Sequence, residues 1–355
     1  MIKRIYLQLL VRISMIAMVT GAIGLFLYSP RFFNFLRTEK SISIFTWPQI
    51  IDTSFLDEFE RQTGIKVHIR YFGNNEELLM KLELMREGYD LVMPSDFMVP
   101  QLIEKGLIKK IDKTKLDFWH TLYPALLGHY FDPNNEYTIP YYWGIYGLGI
   151  DRDYFKGKKI SKSWSLLFDE RLAPPSIVMV DGARELTLIA AYYLFGPIDK
   201  LTPQQISLIK QLLQKQKKWV YAYTDLRAEY LVASKTVPVA LVLSADIAAV
   251  MPYFEHVDFV VPQEGSFWII DSFALSSTSK KEELVYQFLN YIYRAGVLQK
   301  YVDKFGFFPP TTNVQPTFSR GGLSIPSEQV IKKLYFFKNI VPEEVLNEIW
   351  IALKA

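Results

Sequence analysis

The chain has no cysteine among its 355 residues. This absence excludes disulfide bridges, thiol catalysis, thiolate metal sites and a lipid-modified N-terminal cysteine. A marked excess of one charge is also absent, because 40 lysine and arginine residues stand against 37 aspartate and glutamate residues, for a net charge of +3. Such a balance gives no broad basic field for a phosphate backbone, so we expect no nucleic-acid partner.

Signals of catalysis are scarce. The four histidines are scattered without the spacing of a metal site, and neither a glycine-rich phosphate loop nor a nucleophile elbow occurs. The sequence therefore favours a binding protein over an enzyme and predicts neither a cofactor nor a metal site. An enzyme that uses Glu185 and Asp271 as a pair of carboxylates remains as an alternative.

The N-terminus carries the plan of an export signal. Basic residues at Lys3, Arg4 and Arg12 precede the apolar run "ISMIAMVTGAIGLFLY" (residues 13–28). A small-x-small cleavage site is not evident, so residues 1–40 are expected to be either a removed signal peptide or an uncleaved membrane anchor. In both cases the folded part is expected to begin near Ser41, outside the cytoplasm.

Strand and helix patterns alternate after this leader and predict an α/β fold. The chain length exceeds what one core usually organises, so two domains are expected. Alternation of strands with helices is typical of a mostly parallel sheet flanked by helices. The predicted elements are a strand over 41–45, a helix over 51–64 that ends at Gly64, a strand over 65–71, a helix over 74–88 and a strand over 89–93.

The second half of the chain gives similar signals. Residues 138–151 are aromatic and glycine-rich, which predicts a strand that leaves one lobe and enters another, with a boundary near Ile150. Further strands are predicted over 176–180, 237–244 and 267–275, a helix begins at the cap Thr202-Pro203, and a last helix begins near Pro342. In "DGARE" (residues 181–185), Asp181 is expected to cap a helix and Glu185 to lie in its first turn.

Two segments of the sequence contain candidate residues for a binding site. The strand over 89–93 ends at Pro94-Ser95, and loops at the carboxyl ends of strands form the crevice of open α/β sheets, which makes Ser95 and Phe97 candidates. In "GSFWIIDSFAL" (residues 265–275), Asp271 interrupts an apolar strand pattern. A buried carboxylate needs a partner, which is either a local turn or cap or a cation from outside.

Aromatic residues make up 15% of the chain. A richly aromatic core is the ordinary explanation, and a site lined with rings is the other. Carboxylates combined with rings suit ammonium groups, because a carboxylate accepts their protons while aromatic faces attract the charge. The pattern therefore indicates an organic cation as the ligand.

A set of motifs occurs in a fixed order between Ser41 and at least Asn313. They are "FTWPQ", "QTGIKV", "YDLVMPSDFMV", "GLIKKIDKTKL", "FDPNNEYTIPYYWG", "DGARE", "PQEGSFWIIDS" and "GFFPPTTN". Together they resemble the spermidine/putrescine-binding proteins of polyamine ABC transporters. The resemblance implies a two-lobed periplasmic binding protein fold of type II-like arrangement, in which each lobe has a mixed, mostly parallel sheet flanked by helices.

This resemblance also implies domain bounds and partners. Residues 41–150 and 269–312 would form lobe 1, and residues 151–268 and 313–355 would form lobe 2. The ligand would be a polyamine, the partners would be the permease subunits of an ABC transporter, and the protein would act as a monomer. Domain closure, rather than catalysis, would be its mechanism.

Only some of the ligand contacts that the resemblance implies are preserved at the matching positions of this sequence. Gln49 and Gly182 stand where the family has carboxylates, Phe97 and Phe307 stand where it has tyrosines, and Leu243 stands where it has a tryptophan. Trp268 lies one residue before the family's tryptophan position, which is Ile269, and in a strand this shift moves the ring to the opposite face. The ligand-binding residues predicted on this basis are Trp47, Gln49, Ser95, Phe97, Glu185, Trp268, Asp271 and Phe307.

The lost contacts leave alternatives open. Losing one charged hydrogen bond typically costs about 1.5 to 3 kcal/mol, so either the affinity for polyamines falls or the ligand differs. Asp96 and Asp225 are candidates for restoring charge. The alternatives are a binding protein for a different organic cation or amine, and a membrane-anchored sensor or scaffold with a degenerate pocket.

Overall fold

The computed structural model describes residues 10–21, 24, 40–84, 88–158, 160–224, 227–317 and 323–354. The strands are β1 (Ser41–Thr46), β2 (Lys66–Tyr71), β3 (Leu91–Val92), β4 (Ile108–Lys109), β5 (Thr138–Asp151), β6 (Ile177–Met179), β7 (Val220–Tyr223), β8 (Val239–Leu243), β9 (Val257–Val260), β10 (Ser266–Ser276) and β11 (Leu334–Tyr335).

Helices alternate with these strands along the chain. They are α1 (Asp57–Thr63), α2 (Asn75–Leu84), α3 (Val99–Glu104), α4 (Ser165–Phe168), α5 (Ala183–Phe195), α6 (Pro203–Gln216), α7 (Ala228–Ala233), α8 (Ser244–Val250), α9 (Glu282–Ile292), α10 (Ala295–Phe305), α11 (Glu328–Ile331) and α12 (Glu343–Lys354). Short 3-10 turns lie at Thr53–Phe55, Asp96–Met98, Lys113–Lys115, Trp119–Thr121, Pro124–Leu126 and Lys217–Trp219.

The expected leader falls largely outside the described residues. Residues 10–21 are helical, whereas 1–9, 22–23 and 25–39 are not described. Over the described ranges, none of the helices combines the length and the apolar character needed to cross a bilayer.

One continuous sheet runs through both halves of the molecule in the order β2-β1-β3-β10-β5-β8-β6-β7. At one end β2, β1 and β3 are mutually parallel, and at the other end β7, β6 and β8 are mutually parallel. The two long central strands β5 and β10 are antiparallel to each other and to their outer neighbours. The predicted α/β class with a mixed sheet is confirmed. The expectation of a mostly parallel sheet is wrong, because five of the ten strand pairs in the described residues are antiparallel, including the long pairing of β5 with β10.

The central strands β5 and β10 connect two bodies with separate cores. The first half of β5 pairs with β10, and its second half, from Tyr146 onward, pairs with β8 and β9. Apolar side chains around Ile44, Phe59 and Phe288 form one core, and those around Met179, Ile189 and Leu346 form another. We call these bodies the first and the second lobe. The crossing strand that the sequence predicts over 138–151 is confirmed.

Residues 323–336 run alongside both lobes. Leu323 belongs to a cluster of the second lobe, whereas Leu334 and Phe336 pack with Trp143 and Trp268 on the outer face of the first-lobe sheet. From Phe337 onward the chain packs into the second-lobe core and ends in α12. The C-terminal segment is therefore a third connection between the lobes.

Local signals placed some helix ends correctly, although the helix expected over 51–64 is a 3-10 turn at Thr53–Phe55 followed by α1 from Asp57. Gly64 closes α1 in the left-handed conformation at φ 69°, and Thr202 forms a capping box with Gln205 at the start of α6. The expected cap at Asp181 is wrong, because Gly182 is the N-cap of α5 and the Asp181 carboxylate pairs with Lys354 at 2.9 Å. Glu185 does lie in the first turn of α5, as predicted.

A glycine at the crossing strand allows a close approach between strands. A Cβ atom at Gly147 would lie 2.5 Å from the Phe259 ring and 2.8 Å from the Val260 carbonyl oxygen. Phe259 is buried, so it has little room to move away. Glycine at this position lets β9 pack against β5 just after β5 enters the second lobe.

We predict that Gly147→Ala destabilises the protein by about 1 to 3 kcal/mol, because the added methyl group overpacks against Phe259. Urea denaturation followed by circular dichroism measures this change. Gly296→Ala is the control, since a Cβ there meets nothing within 4 Å on the exposed first turn of α10. Alanine at 296 should leave stability unchanged or raise it by up to about 1 kcal/mol. Equal stability of the two variants would contradict the prediction.

Candidate functional site

Asp271 lies in the middle of β10 and is buried, with 3% of its surface exposed. Its Oδ1 accepts a hydrogen bond of 2.5 Å from Ser95 Oγ, and the two residues form an isolated antiparallel bridge. In the part of the chain that the structure describes, Asp271 makes no ion pair. Burial raises the pKa of Asp271 to about 7, although the Ser95 hydrogen bond opposes this shift.

The loop that follows β3 holds Ser95 against β10. The Ser272 amide donates to the Pro94 carbonyl at 3.1 Å, and the Ser95 amide donates to Asn75 Oδ1, at the start of α2, at 3.1 Å. The carboxyl end of a first-lobe strand therefore meets the central strand that carries Asp271. Sequence reasoning named both residues, and the structure brings them together.

A bulge in β5 places Tyr142 beside this carboxylate. Asp271 pairs with Tyr142 but Ser272 pairs with Pro140, so Tyr141 is an extra residue on β5. The two residues of such a bulge turn toward the same face, and both Tyr141 and Tyr142 accordingly join the first-lobe core. The bulge thus sets the direction of the Tyr142 side chain.

Tyr142 is under the electrostatic influence of carboxylates from both lobes. Burial, and then the charges of Asp246 and Asp271, raise the pKa of its hydroxyl well above the usual value. Tyr142 therefore stays neutral and can donate a hydrogen bond. Asp246 is half-buried in the first turn of α8, directly after the carboxyl end of β8 in the second lobe.

Asp96 is a second buried carboxylate, with 1% of its surface exposed. Its Oδ2 accepts a hydrogen bond of 2.9 Å from the Ile270 amide. Burial, and then the nearby Asp96 carboxylate, raise the pKa of the Tyr130 hydroxyl, but the two groups do not form a well-aligned hydrogen bond. Burial, and to a lesser degree the charge of Asp271, raise the pKa of Asp96 to about 8. Near neutral pH, burial therefore keeps Asp96 mostly protonated and Asp271 partly protonated.

Phe97 follows β3 in the first lobe, and Glu185 lies in the first turn of α5 in the second lobe. The half-buried Phe97 ring faces the guanidinium group of Arg184, whose carbon lies 4.8 Å from the ring centroid. Glu185 folds back over the N-terminus of α5, because a Cβ atom at Gly182 would lie only 2.1 Å from Glu185 Oε2. The missing side chain at Gly182 thus leaves room for Glu185.

Trp268 and Phe307 are placed away from the Asp271 carboxylate. Trp268 lies on the opposite face of β10, where its ring contacts His129 and Phe336. This is the face that its one-residue displacement implies, and Ile269 takes the position on the Asp271 side. Phe307 is completely buried behind Tyr142, with ring centroids 5.2 Å apart.

The remaining candidates lie near the end of β1 or outside the described residues. Trp47 is half-buried against Phe72, with ring centroids 4.6 Å apart, and among the described residues its buried Nε1 has no hydrogen-bond partner. Gln49 is exposed and has a left-handed backbone, with φ 60°. Asp225 is not among the described residues.

Sequence reasoning missed Tyr142, Asp246 and Arg184 as neighbours of the site. Asp246 had a usable signal, because it follows the carboxyl end of a predicted strand as Ser95 does. Tyr142 had none, because the bulge that directs it depends on how β5 pairs with β10. Arg184 was visible only as a member of "DGARE".

The raised pKa of Asp96 predicts how stability depends on pH. The folded protein keeps this proton up to about pH 8, whereas the unfolded chain loses it near its usual pKa of 3.8. The free energy of unfolding should therefore fall as pH rises between about 4 and 8, by about 1.4 kcal/mol per pH unit for each proton held.

We predict that Asp96→Asn makes the free energy of unfolding fall less steeply with pH, by about 1.4 kcal/mol per pH unit, which is the contribution of one proton. The variant should therefore be more stable than the parent protein at pH 8. Urea denaturation at several pH values between 5 and 8, without added amines, measures the slope. Glu104→Gln, a change at an exposed carboxylate of α3, should keep the parental slope. An unchanged slope in Asp96→Asn would rule out this origin of the pH dependence.

Comparison with known proteins identifies relatives over most of the chain. The chain is 28% identical over 302 residues to the spermidine/putrescine-binding periplasmic protein of Salmonella typhimurium, covering 83% of this chain and 86% of that protein. It is 27% identical over 339 residues to the putrescine-binding periplasmic protein SpuD of Pseudomonas aeruginosa, covering 89% and 92%. These relatives confirm the resemblance that the motifs indicate.

The fold is that of periplasmic binding proteins. The crystal structure of the TpPotD lipoprotein of Treponema pallidum superposes with a TM-score of 0.78 at 24% identity, covering 88% of this chain and 99% of that one. The model of the family described as bacterial extracellular solute-binding protein matches residues 54–323. This family consists of binding proteins, which agrees with the expectation that the chain is not an enzyme. The chain belongs to the bacterial extracellular solute-binding protein family.

Proposed function

We propose that this protein binds a polyamine between its two lobes, outside the cytoplasm, and delivers it to the permease of an ABC transporter. The observation that carries the proposal is the buried Asp271 carboxylate, which has a hydrogen bond from Ser95 and no ion pair within the described residues. A charge buried in this way is costly, and an ammonium group offsets the cost. Relatives named for spermidine and putrescine binding support the choice of amine.

The surroundings of Asp271 favour a protonated amine over an anion. Asp246 of the second lobe and Asp271 both act electrostatically on the neutral Tyr142 hydroxyl. An ammonium group placed here would meet acids from both lobes and would draw the lobes together. Ligand binding would thus select the closed arrangement.

We retain the ligand contacts predicted from the sequence as proposals, but the structure supports some of them more strongly than others. Ser95, Phe97, Glu185 and Asp271 would contact the ligand from both lobes, and Trp47 would contact it from just beyond the end of β1. Gln49, Trp268 and Phe307 remain predictions. Gln49 is exposed. Trp268 and Phe307 are buried away from the Asp271 carboxylate, so they would support the site by packing and not by contact with the ligand.

Several finer expectations belong to the same proposal. Residues 1–40 would direct export to the periplasm, as a removed signal or as an anchor in the inner membrane, and the protein would work as a monomer in a type II-like arrangement. Lobe 1 would consist of 41–150 and 269–312, and lobe 2 of 151–268 and 313–355. Within the latter range, the stretch that holds Leu334 and Phe336 rests on the first lobe.

A second candidate function is the binding of a smaller or different organic amine. Gly182 and Gln49 remove two carboxylates that the polyamine-binding proteins are expected to use. Glu185 folds over Gly182, so the acid on this side lies close to its own helix. A ligand with its charge concentrated near Asp271 and Asp246 would lose least from these changes.

We predict that spermidine or putrescine stabilises the full-length protein against thermal unfolding. A ligand at about a hundred times its dissociation constant adds roughly 2.7 kcal/mol to the folded state. Sodium and arginine at equal ionic strength control for charge screening, and a panel of other amines tests the second candidate. The absence of a shift with any polyamine would reject the substrate and leave the family assignment intact.

Asp271→Asn should abolish the stabilisation by polyamine, because a neutral amide does not offset an ammonium charge. Asp153→Asn is the matched control, since Asp153 pairs with Lys235 on the surface of the second lobe at 2.7 Å. The control should keep the full shift. An unchanged polyamine response in Asp271→Asn would remove this residue from the site.

Affinity should rise with pH up to about 7, the pKa to which burial raises the free Asp271. Below that pH, binding must first remove a proton, so the dissociation constant should increase up to about tenfold per pH unit. Alkylammonium groups stay charged over this range, with a pKa near 10. Calorimetric titration between pH 5.5 and 8 measures the trend, and a constant affinity would contradict it.

A further inference from the structure

Arg184 is fixed by partners within the second lobe. Its guanidinium group donates to Asn339 Oδ1 and to Glu343 Oε1, and only 9% of its side chain is exposed. Glu343 begins α12, and Asn339 lies between Phe337 and Val341, which pack in the second-lobe core. These contacts engage N–H groups at the edge of the guanidinium plane and leave its flat face available.

That face meets the first lobe. The guanidinium carbon lies 4.8 Å from the centroid of the Phe97 ring, within the distance of a cation–π contact. Asn339 Nδ2 also donates to the Phe97 carbonyl oxygen at 3.4 Å, and the Lys338 ammonium group lies 5.5 Å from the Tyr130 ring centroid. Three neighbouring contacts therefore join the second lobe to first-lobe aromatic residues.

We propose that Arg184, Asn339 and Glu343 form a closure latch on Phe97, which holds the two lobes together when no ligand is bound. The contacts are made entirely by groups of the protein, so their contribution to closure does not depend on an ammonium ligand. Phe97 is suited to this role because the face of its aromatic ring attracts the guanidinium cation.

The strength expected for such a latch is moderate. A cation–π contact of this kind changes the ratio of closed to open protein by about two- to thirtyfold. If part of the protein is already closed without ligand, less of the binding free energy is needed to close the lobes. The apparent affinity for the ligand is then higher. This consequence rests on the proposed function, whereas the latch itself is tested without any ligand.

The absence of cysteine makes the lobe separation directly measurable. Glu104→Cys on α3 and Ser207→Cys on α6 place spin labels on exposed positions of the two lobes. Pulsed electron resonance on the full-length, amine-free protein then gives the distribution of distances between the labels. We expect a population at the short distance of the closed state.

Variants of the latch should shift this distribution toward longer distances. Phe97→Leu removes the ring and should lower the closed-to-open ratio by about two- to thirtyfold, whereas Phe97→Tyr keeps the ring and should preserve the ratio. Glu343→Gln and Asn339→Ala, which free the Arg184 edge, should lower it in the same direction. Thermal melting verifies that each variant is folded.

Glu348→Gln is the matched control for the latch. Glu348 lies on the same helix as Glu343 but pairs with Lys210 at 3.1 Å inside the second lobe. It should leave the distances unchanged. A parent protein that is fully open without ligand, or folded Phe97→Leu and Glu343→Gln variants with parental distances, would overturn the proposal. Because no amine is present, either outcome leaves the polyamine assignment to its own test.

Discussion

The antiparallel pairing of β5 with β10 is the constraint on which the rest of the structure depends. Both strands run from one lobe toward the other, and β5 exchanges β10 for β8 and β9 where it crosses. Two cores can form on either side because their sheets share these strands. The same pairing carries Asp271 to the boundary between the lobes and opposes it to Tyr142.

Burial gives this boundary its chemical character. Two carboxylates, Asp96 and Asp271, lie with less than a twentieth of their surfaces exposed, and burial raises the pKa of each. Their hydrogen bonds come from Ser95 and from the Ile270 amide, which are neutral donors. Neutral donors stabilise a carboxylate less than a cation does, so the site retains an unmet preference for positive charge.

Periodic patterns predicted the sheet and helices well because they report burial along a single segment. The strand over 66–71, the left-handed end at Gly64 and the capping box at Thr202 all follow from neighbouring residues. The carboxyl-end rule also singled out Ser95, which lies just after β3 and donates a hydrogen bond to Asp271, since this rule depends only on strand direction. These features need no knowledge of distant contacts.

Features that depend on pairing between distant segments were not predictable in this way. The bulge at Tyr141 arises from the register between β5 and β10, and it decides which side chains share a face with Asp271. The partners of Arg184 lie 155 and 159 residues away in the chain. Asp181 had good cap chemistry, yet Lys354 at the far end of the chain binds it instead.

The lobes meet around Asp271 and around Phe97, and the two places differ in whether closure depends on a ligand. In the proposed site, the buried Asp271 makes no ion pair within the described residues, so a cation that enters there favours closure. Around Phe97 the second lobe brings a guanidinium group whose charge Glu343 already balances, so closure there needs no ligand. The first contact makes closure selective for a cation, and the second limits how much of the binding energy closure consumes. The contacts of Phe97 would therefore favour closure even where a ligand meets few carboxylates.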